Sequence, residues 1–176
     1  SKIAAWLYLQ KGSDVTRQHG TTVATHNGYE HLWTMGLANT EGESDTQTET
    51  ALSEYEATLA KFGANIEEHC KRTWFFVRDV DSQYKGMVVA RKAFFEEHGL
   101  TQHTHYIAST GIGGAPANTL SQIQLGAYAL KGLQPEQQRY LYAPTHLNPT
   151  YEYGVTFERG VAIDYGDRRP VLISGT

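Results

Sequence analysis

The chain has one cysteine, Cys70, in 176 residues. No disulfide can form within it, and a reducing compartment is the simpler home. It has no excess of positive charge: Lys and Arg number 15 against 19 Asp and Glu, a formal charge of −4. The footprint that binding a phosphate backbone requires is therefore missing, and nucleic acid is not an expected partner. No apolar run approaches the roughly 20 residues of a membrane span. The start, SKIAAWLYLQKGSD, lacks the basic opening of a signal peptide. A cytoplasmic protein with no membrane partner is expected. There is no Gly-x-Ser-x-Gly elbow, and no Lys-Ser/Thr follows the glycines at 111–114, so a serine hydrolase of that type and a P-loop both lack support.

What is present centres on residues 70–109, which predict strand, helix and strand. Lys71 to Val77 is aromatic and β-branched, with both alternating sets largely apolar, as in a strand covered on two faces. Asp79 and Asp81 offer helix caps. Tyr84, Met87, Val88, Arg91, Phe94 and Phe95 then recur at helical spacing, and Gly99 sits where a left-handed residue would end the helix. Thr104 to Ala108 is expected to resume a strand, parallel to the first.

Upstream, Ile3 to Leu9 reads as a strand closed by Lys11-Gly12-Ser13-Asp14. Thr21 to Thr25 and Glu30 to Met35 read as a hairpin across His26-Asn27-Gly28, and Thr48, Leu52, Tyr55, Leu59 and Phe62 form one stripe of a helix that starts at Ser44 or Asp45. Ser109 to Asn118 is expected as a loop, followed by a strand from Leu120 to about Leu130. The order β-β-β-α-β-α-β-β predicts an α+β layer, one mixed sheet with two helices on one face. Trp33, Trp74 and Phe76 would leave the other face apolar, so other sheets or a second repeat should cover it.

The segment from Gly160 to Gly175 repeats the layout of Gly20 to Gly36: glycine, short strand, polar turn, strand, glycine. Residues 1–131 are thus expected to be a first repeat, 132–139 a linker, and 140–176 the truncated start of a second repeat. A lone hairpin is marginal in water, and the chain is expected to be part of a longer polypeptide.

These residues resemble the RidA family, also called YjgF/YER057c/UK114. The likeness runs from about Glu30 to Leu130: HLWTMG, the helix ETALSEYEATLAKFGANIEEHCKRTWFFV, and ARKAFFEEHG before a strand. It implies the family fold and a small carboxylate metabolite as substrate. It also implies self-association, or packing of tandem repeats, into a trimeric or pseudo-trimeric barrel with clefts between subunits. The tandem layout is similar to that of the chorismatase group. The resemblance places His103 where imine deaminases carry a carboxylate-binding arginine, His105 at their cysteine and Gln122 at their glutamate. Val88 and Met35 replace an asparagine and a serine, whereas Ser174-Gly175 keeps the family's pair. His103, His105 and Gln122 are the catalytic candidates carried over, and Arg72, Tyr106, Gly36 and Ser174 the ligand-binding ones. No cofactor and no metal is implied. Family labels such as endoribonuclease and translation inhibitor gain nothing from an acidic chain. Three readings stay open: a RidA-like deaminase, a chorismatase-like hydrolase, and a RidA-fold protein that only binds.

The residues themselves offer other constellations. His103 and His105, two apart on an expected strand, would share a face and form half of a metal site or a pair in a cleft. Gly111 to Gly114 reads as a tight turn, and Arg72 and Arg78 as solvated strand ends able to reach a carboxylate. Trp74-Phe75-Phe76 reads as core, Arg168-Arg169 as a solvated turn, and Cys70 as a buried structural thiol.

Overall fold

Residues 7–175 are described in a computed structural model. Three antiparallel strands open the chain: β1 (Asp14–Gln18), β2 (Thr21–His26) and β3 (Tyr29–Leu37). Asn27 and Gly28 both have positive φ, 50° and 81°, as a two-residue hairpin favours. His19 and Gly20 repeat that geometry at the preceding turn, with φ of 51° and 80°. That second hairpin displaces the first strand from its expected position. Ile3 to Trp6 lie outside the described residues, Leu7 to Leu9 are not strand, and pairing begins at Asp14 against Thr25.

Helix α1 (Ser44–Ala60), the single turn α2 (Ile66–His69) and β4 (Cys70–Val77) follow. Two helices were expected, and α2 is a third, capped by the Asn65 side chain, which accepts from the Glu68 N–H at 2.8 Å. Helix α3 (Val80–Glu97) is capped by Asp79 as its sequence implies, and Gly99 beyond its end has φ 77°. Strand β5 (Ala108–Gly113) pairs parallel to β4, and β6 (Ile123–Lys131) pairs antiparallel to both β3 and β4. The resulting six-stranded sheet has the order β1-β2-β3-β6-β4-β5.

Two boundaries differ from expectation for local reasons. Thr104 bonds back to the Gly99 carbonyl at 2.7 Å, which holds 101–104 in a turn, so β5 starts four residues later than expected. Gly111 to Gly113 are then strand, not turn. A Cβ on Gly111 would lie 2.6 Å from Met87 Cε and 2.7 Å from Tyr84 Cε2, so a bare strand there lets α3 approach. Leu120 stays exposed, and β6 begins at Ile123.

The helices cover one face of this sheet, burying Leu52, Tyr55, Leu59, Met87 and Phe95 against Phe75, Ile123 and Leu125. A second sheet covers part of the other face: β7 (Gln138–Leu141), β8 (Gly160–Ile163) and β9 (Val171–Ile173), in that order. Its first strand takes up the last residues of the expected linker. Val161, Ile163 and Tyr165 pack on Tyr128, Leu130, Trp33 and Trp74. Full burial of an aliphatic side chain such as Ile163 contributes about 1.5–3 kcal/mol. No helix among the described residues is long and apolar enough to cross a membrane.

A polar chain crosses this second interface. His31 Nδ1 lies 2.8 Å from the Tyr128 hydroxyl, which lies 2.6 Å from that of Tyr165, and Asn27 donates to the Tyr165 carbonyl at 2.6 Å. His31 is buried and its Nε2 has no partner, so desolvation, aided by the nearby Arg168, holds its pKa down to about 4. The folded state therefore resists protonation that the unfolded chain accepts near pH 6.5. Stability is expected to be full above that pH and to fall by up to about 3 kcal/mol as the pH drops through about 4. Urea titrations at pH 7.5, 6 and 5 check this, and His31→Phe should flatten the slope.

Candidate functional site

Strand β5 is the last strand of the first sheet, and its free edge receives the segments around Glu158 and Ser174. Glu158 N–H donates to the Ile107 carbonyl at 3.0 Å, with a parallel bridge between Ala108 and Glu158. Ser109 N–H donates to Ser174 Oγ at 2.9 Å, whose own hydroxyl donates to the Glu158 carbonyl. Gly175 N–H donates to Thr110 Oγ1 at 2.8 Å, and the same oxygen accepts from the Arg72 guanidinium. The Ser-Gly pair is thus bound up in protein hydrogen bonds, and a ligand there would have to displace them.

Arg72 is not a solvated strand end. It is 5% exposed, lies 4.9 Å over Trp74, and donates to the Thr73 carbonyl at 3.0 Å, because β4 is covered on both faces. Arg91, which the sequence offered only as part of a helical stripe, is buried on the helix side of the same strands. Its guanidinium donates to Ser109 Oγ at 3.1 Å and lies between the rings of Phe75 and Phe157, 5.8 and 5.9 Å from their centroids. Burial lowers its pKa to about 10, so it stays charged at neutral pH. Arg78, by contrast, is spent on the carbonyls of Ser121, Pro116 and Asn118.

Next to this seam the turn before β5 and the long connection before β8 enclose a cleft of about 290 Å³. Tyr106, Tyr142, Tyr151 and Phe157 give it aromatic walls, and His105, Glu158 and Arg159 bring charge or polarity. Glu158 is buried, and its Oε1 accepts the Tyr106 N–H at 2.9 Å. Burial raises its pKa, so the carboxyl is easier to protonate than an exposed one. The His105 ring stacks on Tyr140 at 5.0 Å, and its Nδ1 lies 3.1 Å from the Tyr106 carbonyl, a contact that assigns the proton to Nδ1. Burial lowers its pKa and keeps the ring neutral at pH 7. Arg159 bonds the Asn148 carbonyl at 2.9 Å and lies 5.4 Å over Phe157, so its charge sits against an aromatic wall.

The sequence candidates fall into three groups. His105 and Tyr106 line the cleft, and His103 lines an adjoining groove with Tyr106 and Tyr151. Arg72 and Ser174 lie in the seam. Gln122 and Gly36 are elsewhere. Gln122 bonds Gln47 and Glu43 beyond the opposite end of β4, where it faces Arg78, about 20 Å along the strand from the Arg72 position at a strand's rise per residue. Gly36 stands in the irregular end of β3, three strands from β5. His103 and His105 do not share a strand face, since 101–107 is a turn and its exit. Among the described residues no group of three or more His, Cys, Asp and Glu is placed to hold a metal. Glu158 was missed. Its one sequence signal is a lone acid directly after the apolar Val155-Thr156-Phe157 and before the repeat's first glycine.

No family model and no curated protein sequence matches the chain. Solved structures do. A YjgF-family protein, NMB1025 from Neisseria meningitidis, matches with a TM-score of 0.50 at 19% identity, over 62% of this chain and 84% of that one. The YjgF gene product of E. coli matches with 0.50 at 19%, over 57% and 80%. A chorismatase matches with 0.60 at 19%, over 93% of this chain and 49% of that one. The chain therefore has the YjgF fold, and it spans about half the length of the chorismatase.

Replacing Thr110 by Val keeps the shape but leaves Arg72 and Gly175 N–H without their shared acceptor. Unfolding free energy is expected to fall by about 1–3 kcal/mol. A loss under about 0.5 kcal/mol, the scale of an ordinary surface change, would mean that the seam bonds are replaced by water.

Proposed function

We propose that this chain is the first repeat and the beginning of the second in a tandem RidA-fold protein related to chorismatase. In this reading the seam between β5 and Ser174-Gly175 is structural, and the complete protein converts a small carboxylate metabolite at a cleft that the rest of the second repeat finishes. One observation carries it: the chorismatase match takes in 93% of the chain, both sheets included, whereas the single-repeat structures above match 62% and 57%.

The groups of the first repeat do not suit imine deamination. The positions that would hold a substrate carboxylate carry His103, exposed in a turn, and the buried guanidinium of Arg72 is committed within the seam. Glu158 and His105 do suit a cleft that accepts or delivers a proton. Chorismate hydrolysis adds water across the enol ether link and releases pyruvate with a dihydroxylated dihydrobenzoate. The acid of such a reaction must protonate the enol carbon, and a carboxyl with a raised pKa is the appropriate donor type.

Incubating the complete polypeptide with chorismate, and separately with a 2-imino acid generated in place, tests the reading by mass spectrometry. Pyruvate released from chorismate is the expected result. Faster formation of the 2-oxo acid would replace it with a deaminase, and turnover of neither would leave a protein that only binds.

A further inference from the structure

A second cavity, about 350 Å³, lies on the other side of His105, between the start of β4 and the connection joining the repeats. Lys71 lines it. This side chain is 94% buried, since the residue is only 6% exposed, and its ammonium donates to the Glu68 carbonyl oxygen at 2.6 Å. An ammonium has three N–H groups, and among the described residues no carboxylate lies in ion-pair reach of this one. A buried cation without a counter-charge is costly.

Other polar groups converge on the same space. His69 also lines the cavity, its Nδ1 held by Asn65, whose N–H lies 3.2 Å and whose Oδ1 lies 3.3 Å from it. Gln134 and Gln138 line it from the connection, and Gln138 spends its amide N–H on the Tyr140 hydroxyl at 2.8 Å. Leu130 and Leu133 supply an apolar wall. The nearby charge is balanced elsewhere: Lys131 pairs with Glu30 at 2.8 Å, and burial raises the Cys70 thiol to about 11, leaving it neutral.

We propose that this cavity is a binding site for a small oxyanion, a carboxylate or a phosphate, seated on the Lys71 ammonium with His69, His105 and the two glutamines around it. The site is separate from the aromatic cleft, and it stands whether or not the complete protein turns over chorismate. An anion supplies the counter-charge that Lys71 lacks. Desolvation holds Lys71 down to about 8, so its charge fades above that pH. Burial lowers both histidines as well, so they gain charge only below the usual imidazole range. Glu68 and Glu67 on α2 act in the opposite sense. Anion affinity should therefore strengthen as the pH falls from 8 to 6.

Calorimetry with the complete protein tests the site, using benzoate, inorganic phosphate and the neutral isostere benzamide as probes. At least one anion is expected to bind at millimolar or tighter concentration while benzamide does not. Binding by benzoate alone would identify an organic acid site, and by phosphate alone a phosphate site. Lys71→Met should weaken the bound anion at least tenfold, in a variant confirmed folded by its cooperative melt. Because benzoate keeps its charge from pH 8 to 6, its affinity should rise about twofold over that range as Lys71 becomes fully charged. Absence of anion binding to the unmodified protein, equal binding of benzamide, or unchanged affinity in folded Lys71→Met would overturn the proposal.

Discussion

Strand β4 cannot be left with an open face. Thr73, Phe75 and Val77 point to the helices and are fully buried, while Arg72 and Trp74 point the other way, against the second sheet. A strand with buried side chains in both directions requires a layer on each side. Here α1 and α3 make one layer and β7 to β9 help to make the other. The small second sheet, three strands of four, four and three residues, would be marginal alone. It gains its stability by covering what β4, β6 and β3 expose.

The same constraint explains where polar chemistry collects. The seam joins the edge of one sheet to loops of another, and edge groups need partners. Ser109, Thr110, Ser174 and Gly175 satisfy one another there, which ties the joint together. Beside the seam, where loops replace strands, backbone pairing stops and room remains. The aromatic cleft and the Lys71 cavity both lie in that zone, one on each side of the His105 ring, so polar groups there are buried without being fully paired.

Much of the fold was legible because its signals are local. The Asn27-Gly28 turn, the Leu52-Tyr55-Leu59 stripe, the Asp79 cap and Gly99 each carry their meaning within a few residues. The misplacements arose where a distant group decides. Gly111 to Gly113 looked like a turn, and only the approach of Met87 and Tyr84 makes them strand. His103 and His105 looked like a strand pair, and a bond from Thr104 to Gly99 holds them in a turn. The candidate site was legible only in part for a related reason. His105 and Tyr106 stand near the β4 pairing partner and could be placed from it, but Glu158 reaches them from 52 residues away, and Lys71 looked like any strand end until the inter-repeat connection closed over it.

The seam also has a direction. The end of the β8–β9 hairpin, Ser174-Gly175, meets the β5 edge, so the two sheets touch through unlike surfaces. The first hairpin ends at the corresponding Met35-Gly36, where Met35 is 44% exposed and a Cβ added to Gly36 would meet nothing within 4 Å. A joint made of unlike surfaces does not cancel itself as a two-fold contact does. The angle at which β5 and the Ser174-Gly175 end are locked together therefore fixes how the two sheets are set against each other.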